Sequence, residues 1–543
     1  MSQSPPRRRT AHNLILFIMS NWVRTFLLVV VGFILTPLMI QAFGLVLFGL
    51  LIMVQQITVS MVRPLRGAVT ATLVKSISEA RGSGEDRGLA SVFTNGVGLM
   101  SMLFMLLMVF GIAAIIFANS ILDFPPEQLF NVQLAIAGEV LVISTSSLTS
   151  PWLSLFLLAQ RPVIYNVFLA IRRWSDMVAF LLALLPFGFD IFQRFIIIRT
   201  TLSVACFLAR VVVARRVMPE AKVELELLNW SRMVKLLRLG GLTAGQPFSN
   251  FNFFVLDNYL YNILFGPIYN GLFAIVTQLR GYARRFGAQV FEGMVAVASD
   301  IHERGEKKTN IRAMLSVSRI TGGVMMLPTG IILIFFHPLI NLWLGSRLKQ
   351  DDTLLEVMSY EQAIDLIWGI LGMILIGGIM LETAAAASKF LYGMGFIKRY
   401  AWVLFMAGST KFLLSVGLVV YVLYVMPDLM SDPIVPYLFP AITLLCQLIF
   451  FGLIMPQRVT SLTDVTAWKW VWHTTVKPLI SVVIPLGAGV VMLLSIREWS
   501  WPLLIISVMV VGLLAMPSSF FLLFEAEERK SIWKLIGRLT GRR

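Results

Sequence analysis

Residues 43–84 read FGLVLFGLLIMVQQITVSMVRPLRGAVTATLVKSISEARGSG, and residues 265–305 read FGPIYNGLFAIVTQLRGYARRFGAQVFEGMVAVASDIHERG. Each copy begins at a glycine turn, continues as a long apolar helix that carries arginines, and ends in a charged loop. Seven residues recur at an offset of 222 positions: Phe43, Gly44, Gly49, Leu50, Val54, Gln56 and Arg63 return as Phe265, Gly266, Gly271, Leu272, Val276, Gln278 and Arg285. With a slip of one residue, Arg81 and Gly82 return as Arg304 and Gly305. This internal repeat predicts two similar halves, which in a membrane chain is typical of alternating-access transporters.

The composition places the chain in a lipid bilayer. Of its 543 residues, 57% are hydrophobic and only 14% are charged, and the mean hydropathy is +0.82. The net charge of +16 is explained by basic cytoplasmic loops, so we expect no nucleic acid partner. Cys206 and Cys446 both lie inside apolar runs and are interpreted as core residues rather than as a disulfide or a metal site.

Fourteen apolar segments are long enough to cross the hydrocarbon core as helices. They cover residues 25–43, 46–75, 90–117, 131–158, 163–187, 191–213, 240–265, 268–299, 311–344, 363–392, 400–426, 434–455, 475–496 and 501–524. We therefore predict an all-α polytopic membrane protein, because only helices and closed barrels satisfy backbone polar groups in lipid. Spans one to six and seven to twelve are expected to form two six-helix lobes related by a pseudo-twofold axis along the membrane normal. The last two spans would lie outside that symmetry.

The predicted organisation has five parts. They are an N-lobe at residues 1–217, a cytoplasmic amphipathic linker at 218–238, a C-lobe at 239–456, the two extra spans within 457–524, and a basic tail at 525–543. Lysine and arginine concentrate in the N-terminal segment, in alternate loops, in the linker and in the tail. Because such loops stay in the cytoplasm, this asymmetry predicts an inner-membrane protein with both termini cytoplasmic.

Ionisable residues inside the predicted spans are the candidate functional residues, because charge at membrane depth is costly and is usually retained for a function. Seven arginines form the candidate anion-binding set: Arg63, Arg66, Arg172, Arg173, Arg280, Arg284 and Arg285. Four further residues are candidates for ion coupling: Glu139, Asp257, Glu382 and Lys411. A cluster of guanidinium groups suits a phosphate or diphosphate, which it can grip with two parallel hydrogen bonds per arginine.

Each of these residues also has a purely structural interpretation. Arg63 and Arg66 lie toward the predicted cytoplasmic end of span two and could reach the membrane surface with their long side chains. Arg172 and Asp176 are four residues apart and could form a helical ion pair. Arg280 lies about 18 Å from the predicted outer end of span eight at 1.5 Å per residue, which is too deep to reach water easily. Lys411 is similarly deep, so a cavity-facing position is expected for both.

Catalytic chemistry has little support in the sequence. The four histidines fall in the N-terminal segment, in two predicted cytoplasmic loops and at the end of a span. The HExxH, GxSxG, CxxC and P-loop patterns do not occur. We therefore expect a protein that is not an enzyme and that holds no metal or cofactor.

Three sequence segments carry a resemblance to a known family. The first span ends in LTPLMIQAFG at 35–44 and is followed by LFGLLIMVQQ at 47–56, while the second half contains LDNYLYNILFGPIYNGLFAI at 256–275. This pattern resembles the polysaccharide biosynthesis flippases for O-antigen and lipid-linked oligosaccharides. Their superfamily of multidrug, oligosaccharidyl-lipid and polysaccharide exporters includes the lipid II flippase. Asp257 and Gly271 match the family pattern, whereas Leu272 and Phe273 stand where a tyrosine is more usual.

The resemblance implies two lobes around a central cavity and a flippase for a polyprenyl-diphosphate-linked glycan, serving surface polysaccharide and lipopolysaccharide export. The arginines would hold the diphosphate, and the partners would be the lipid-linked oligosaccharide, membrane lipids, a polysaccharide polymerase and glycosyltransferases. Three alternatives remain open: a lipid II flippase, a cation-coupled multidrug exporter, and a non-transporting scaffold of a glycan-synthesis complex.

Overall fold

The structure is a computed structural model in which every regular element is helical among the described residues. These are residues 7–82, 86–159, 161–186, 188–241, 245–291, 294–428, 432–463, 465–530 and 533. The chain divides into two compact units, Met1–Ala274 and Ile275–Arg543, and each is described by itself. The sequence-based division into an N-lobe and a C-lobe stays a prediction.

Unit 1 contains ten complete α-helices and the beginning of an eleventh. They are α1 (Arg7–Gly82), α2 (Asp86–Ile116), α3 (Ala118–Ile121), α4 (Leu129–Leu148), α5 (Ser150–Leu158), α6 (Pro162–Ala183), α7 (Ile191–Val217), α8 (Trp230–Gly241), α9 (Gly245–Asn250), α10 (Leu256–Phe265) and α11 (Pro267–Phe291). Short 3₁₀ turns occur at Pro126–Gln128 and Leu225–Leu227, and a π-helical turn at Phe251–Val255 joins α9 to α10.

The two glycines that open the repeat have the same unusual backbone conformation. Gly44 interrupts the 76-residue helix α1 with φ 78° and ψ 164°, and Gly266 ends α10 with φ 88° and ψ 178°. This region of φ/ψ space is essentially restricted to glycine. The helix α1 is therefore two helices joined at Gly44, and the structure bears out the predicted glycine turn in both copies.

The two copies of the repeat also meet at a second pair of equivalent glycines. A Cβ atom added to Gly49 would lie 2.6 Å from the Cα of Gly271, and one added to Gly271 would lie 2.7 Å from the carbonyl oxygen of Leu45. Beside this crossing, the Asn270 amide donates to the Asn258 side chain at 2.8 Å. Only residues without a side chain allow backbones to approach this closely.

The predicted amphipathic linker runs across the N-terminal part of α2 and leads into α8. The Glu224 backbone N–H donates to Thr94 Oγ1 at 3.0 Å, and the Asn229 backbone N–H donates to Asn95 Oδ1 at 2.7 Å. In α8, Met233 and Leu236 are buried while Trp230 is exposed. The linker is therefore a docked segment of unit 1 with one apolar face buried.

Unit 2 contains the rest of α11 and twelve further α-helices. They are α12 (Met294–Glu303), α13 (Lys307–Ile334), α14 (Phe336–Ile340), α15 (Ser346–Leu348), α16 (Asp352–Val357), α17 (Tyr360–Gly393), α18 (Ile397–Val420), α19 (Val435–Gln447), α20 (Met455–Leu462), α21 (Ala467–Val471), α22 (Lys477–Ser495) and α23 (Trp501–Ser518). Five π-helical segments extend or join these helices at Asn341–Gly345, Tyr421–Val425, Leu448–Ile454, Trp472–Val476 and Ser519–Leu523.

The helix α13 connects the two C-terminal spans to the rest of unit 2. Its glycines allow close approach, because Cβ atoms added to Gly322, Gly323 and Gly330 would each lie within 3.0 Å of a neighbouring atom. Those neighbours belong to Thr474, Leu523 and Leu486. The helix α13 also packs on α17, whose residues Leu381 to Ser388 are all buried.

The helix count agrees with the predicted number of membrane crossings. Ten helical stretches of the described chain are long and apolar enough to cross a bilayer, and the first, Asn21–Val62, contains the break at Gly44. Three more helical stretches of membrane-crossing length carry too many charges or interruptions to be counted this way: α6, the run from α9 to α10, and α11. With the first stretch counted as two, the total is fourteen, and the chain is an all-helical, multi-pass membrane protein.

Candidate functional site

Three of the predicted anion-binding arginines lie on α11, in the part of this helix that belongs to unit 2. Arg280 and Arg284 are one helical turn apart, and Arg280, Arg284 and Arg285 are all half-buried. The Arg285 guanidinium carbon lies 5.8 Å from the centre of the Tyr282 ring. The α-helical period places Arg280 and Arg284 on one face, as the sequence predicted.

Arg284 is held by an acid from a different helix. Its Nε donates to Glu382 Oε1 on α17 at 2.5 Å. The Glu382 side chain is only 2% exposed, whereas that of Arg284 is 28% exposed. The structure thus brings together one residue predicted to bind diphosphate and one predicted to couple an ion. The sequence alone does not predict this ion pair, because the two residues are 98 positions apart.

A second cationic region lies in unit 1, where Arg66 lines a cavity of about 150 Å³. The cavity also borders Ser146 on α4 and the aromatic rings of Phe168 and Phe207. Arg66 Nη1 donates to Ser146 Oγ at 3.2 Å. The side chains of Arg63 and Arg172, also predicted to bind anions, lie outside the described part of the structure.

Arg173 belongs to a buried charge network. Its Nη1 lies 3.3 Å from Asp176 Oδ2 on the same helix, α6. Asp176 also accepts from Arg199 Nε at 2.6 Å, and Arg199 Nη2 lies 2.8 Å from Glu139 Oε2. Two buried carboxylates and one buried guanidinium therefore connect α4, α6 and α7. The part of Arg173 in anion binding stays a prediction.

The candidates for ion coupling are all shielded from the surroundings. Glu139, Asp257 and Lys411 are fully buried and Glu382 is nearly so. Asp257 belongs to α10 and Lys411 to α18. The part of these residues in ion coupling stays a prediction, as does the expected cavity-facing position of Lys411.

Among the described residues, three buried arginines are not in the set predicted from the sequence: Arg199, Arg210 and Arg319. Each is a lone charge within an apolar helical segment, and this signal was present in the sequence. Their partners could not be identified because these residues are far away along the chain. Arg319, for example, is paired with residues more than 200 positions distant.

Arg319 ties α13 to the segment after the last span. Its Nη1 donates to Glu525 Oε1 at 2.6 Å, and its Nη2 donates to Glu528 Oε2 at 2.6 Å. The Ser316 hydroxyl also donates to Glu528. Burial alone would raise the pKa of the Glu525 carboxyl, but the hydrogen bond and positive charge of Arg319 bring this pKa below its ordinary value.

Comparison with known proteins identifies the fold. No protein-family model and no curated protein matches the chain by sequence. The structure is similar to "Lipid II flippase MurJ, inward closed conformation", with a TM-score of 0.58 and 14% identity over 93% of this chain and 98% of that one. It is also similar to an inward-facing multidrug resistance MATE family transporter of the MOP superfamily, with a TM-score of 0.53 and 12% identity over 80% of this chain and 98% of that one. The MATE multidrug transporter DinF-BH has a TM-score of 0.53 and 14% identity over 82% of this chain and 94% of that one.

The chain therefore has the fold of MOP-superfamily transporters. All three similar structures are named as flippases or transporters rather than as enzymes. The predicted fold is confirmed, whereas membership of the superfamily and of its O-antigen flippase subfamily stays a prediction.

Proposed function

We propose that this protein is a flippase that moves a polyprenyl-diphosphate-linked glycan across the bacterial inner membrane by alternating access. The fold similarity to a lipid II flippase and to MATE transporters supports transport as the activity. In this proposal, the diphosphate binds to arginines of the membrane-spanning helices, the glycan moves through water, and the prenyl chain remains in lipid. A polysaccharide polymerase and glycosyltransferases would act on the same glycan before and after translocation.

The contact between Arg284 and Glu382 carries the proposal. Glu382 accepts from Nε, which leaves the two terminal nitrogens of Arg284 able to donate to two oxygens of one phosphate group. The carboxylate is buried and the guanidinium is partly exposed, so the acid orients the arginine from behind. Arg280 on the same helical face and the adjacent Arg285 would add further positive charge for the second phosphate.

The membrane potential would assist this direction of transport. An inside-negative potential favours outward movement of an anion by about 2.3 kcal/mol per charge per 100 mV. Coupling to a proton or a sodium ion through Glu139, Asp257, Glu382 or Lys411 would add to this driving force. These four residues are buried, as ion-binding groups inside a membrane are expected to be.

The test is export of the glycan by cells that carry variants of α11. We expect Arg280→Ala and Arg284→Ala each to abolish export at a normal level of protein in the membrane. Arg284→Lys should restore export only in part, because a lysine provides a point charge instead of a planar donor with two parallel hydrogen bonds. The matched control is Arg312→Ala on α13, whose side chain is exposed. Full export by the double variant Arg280→Ala, Arg284→Ala would refute the site.

Lipid II is the second candidate substrate, because the similarity to the lipid II flippase covers 93% of this chain. Complementation of a strain depleted of its own lipid II flippase separates the two substrates. Growth of the depleted strain would identify lipid II as a substrate. If the depleted strain does not grow, and deletion of the gene for this protein abolishes surface polysaccharide in its own host, the glycan intermediate is the substrate.

Multidrug export and a scaffold role make different predictions. A multidrug exporter would extrude cationic dyes in a manner that depends on an ion gradient. A scaffold would retain its activity after covalent crosslinks prevent conformational change, whereas an alternating-access flippase would lose it.

A further inference from the structure

Arg210 is a buried arginine without an acidic partner in the described part of unit 1. It lies on α7 and is 3% exposed. Its Nη1 donates to Thr149 Oγ1 at 3.2 Å, its Nη2 donates to the Phe168 carbonyl at 3.5 Å, and its Nε has no hydrogen-bond partner there. Its guanidinium carbon lies 4.8 Å from the centre of the Phe207 ring and 5.8 Å from that of Phe168.

Two other buried arginines have carboxylate partners, which Arg210 lacks in the described part of the chain. Arg199, on the same helix, is matched by Glu139 and Asp176, and Arg319 is matched by Glu525 and Glu528. Among the described residues, the charged and titratable groups that act on Arg210 are Arg66, Tyr165 and Cys206, and none of these is a carboxylate. A buried guanidinium stays protonated, and an uncompensated buried charge strongly destabilises a folded protein. A negative counter-charge is therefore required near Arg210.

The cavity next to Arg210 can hold this counter-charge. Phe168 and Phe207, which contact the Arg210 guanidinium, also form a wall of the 150 Å³ cavity that Arg66 and Ser146 line. Ser146 Oγ accepts a hydrogen bond from Arg66, so the hydroxyl hydrogen of Ser146 remains able to donate into the cavity. An apolar cavity of about 150 Å³ is known to hold benzene, with its six heavy atoms. A phosphate group has five heavy atoms and is therefore of suitable size, whereas a diphosphate-linked sugar is too large.

We propose that Arg66, Ser146 and Arg210 form a binding site for a single phosphate group inside unit 1. Arg66 and Ser146 donate to the phosphate oxygens, and Arg210 supplies a second positive charge from behind Phe168 and Phe207. The phosphate belongs either to free inorganic phosphate or to the headgroup of a lipid that enters from the membrane. This site does not depend on the proposed flippase function, because it is defined by contacts among residues of unit 1 alone.

The experiment measures binding to the purified full-length protein by calorimetry in phosphate-free detergent buffer. The two probes are inorganic phosphate and dioctanoyl phosphatidic acid, a lipid with a phosphate monoester. We expect at least one probe to bind, and Arg210→Met to raise its Kd at least tenfold. Arg216→Met is the matched control, because Arg216 is exposed on the same helix, and it should leave the Kd unchanged. Binding of inorganic phosphate identifies a free anion, and binding of the lipid alone identifies a headgroup.

Two further measurements keep the proposal testable if Arg210→Met lowers the yield of protein. Ser146→Ala removes one donor without a change of charge and should raise the same Kd severalfold. Without phosphate, Arg210→Met should have a Tm equal to or above that of the wild type, because it removes an unmatched buried charge. Equal Kd values for wild type, Arg210→Met and Ser146→Ala, or the absence of binding of both probes to the wild type, would overturn the proposal.

Discussion

At the scale of single residues, the buried arginines differ in how their charge is compensated. Arg199 and Arg319 each contact two carboxylates, whereas Arg284 contacts one carboxylate and keeps part of its surface exposed. An arginine whose positive charge is balanced by two carboxylates of the protein has few donors available for a ligand. Arg284 is therefore better suited to substrate binding than Arg199 or Arg319, although all three occur in membrane-crossing helices.

The role of Glu382 can be tested by Glu382→Gln, which keeps the shape of the side chain and removes its charge. We expect export to fall about tenfold or more, because a hydrogen bond to a charged group contributes about 1.5–3 kcal/mol and each 1.4 kcal/mol corresponds to a factor of about ten. The measurement is the rate of glycan translocation in proteoliposomes at a known protein content.

The control for this substitution is Glu361→Gln, an exposed acid at the start of the same helix α17. If Glu382 instead competes with the substrate for Arg284, removal of its charge would tighten substrate binding. A lower apparent KM in Glu382→Gln would thus contradict an orienting role.

The sequence predicted the positions of Arg280 and Arg284 but not the acidic partner of Arg284. Depth in a helix follows from counting residues along an apolar segment, so Arg280 and Arg284 could be placed on one face. An ion pair depends on which helices are neighbours. For that reason the contacts Arg284–Glu382 and Arg173–Asp176–Arg199 were established only by the structure.

At the scale of helices, the repeat is defined by its glycine turns. Gly44 has no atom within 4 Å of an added Cβ, so a substitution there meets a conformational cost rather than a steric clash. We expect Gly44→Ala and Gly266→Ala each to destabilise the protein by about 1–3 kcal/mol, because a side chain disfavours this φ/ψ region. The measurement is the Tm of the purified variants in detergent.

A glycine with ordinary helical torsions provides the comparison. Gly512 lies within α23 and also has open space around it, so Gly512→Ala should leave the Tm unchanged or raise it. A wild-type Tm for Gly44→Ala would show that the turn is not strained.

Helix extents were predicted well where apolar runs end in glycine, proline or charged loops. The sequence did not predict the short π-helical segments, such as Phe251–Val255 and Leu448–Ile454. π-Helical turns are rare and occur mostly as single turns inside α-helices, so an apolar helical pattern does not reveal them.

At the scale of the whole molecule, Arg319 joins the segment that follows the last span to a helix about 200 residues earlier in the chain. The lowered pKa of Glu525 means that the carboxylate stabilises the folded state above the pKa of an unfolded glutamate, about 4.3. This contribution is lost as the pH falls through the lower pKa of the folded state. We expect the double variant Glu525→Gln, Glu528→Gln to have a lower Tm than the wild type at pH 7, and the difference between the two Tm values to shrink as the pH falls below about 4.3.

The control for the substitutions at Glu525 and Glu528 is Glu356→Gln, because Glu356 is an exposed residue of α16. It should behave as the wild type at every pH. A constant difference in Tm between the double variant and the wild type from pH 7 to pH 3 would argue against an electrostatic contact.

The membrane-protein class and the all-helical fold follow from composition and apolar segment length, which are properties of the chain as a whole. The substrate does not follow from these properties, because one fold accommodates different cargoes. Residues that contact a glycan or a lipid can lie within apolar segments without a change in the hydropathy pattern. That pattern therefore predicts the helices but not the substrate.

The conformation shared by Gly44 and Gly266 also bears on the ancestry of the chain. The two copies of the repeat keep few identical side chains, yet the torsion φ is 78° in one and 88° in the other. If the chain arose by duplication and fusion of a gene for one half, side chains were free to diverge wherever their packing could be rebuilt. A backbone angle that only glycine tolerates could not drift in small steps. The turn would therefore be among the oldest features of the molecule, and relatives too distant for sequence comparison should be recognisable by a glycine turn at the same place in each half.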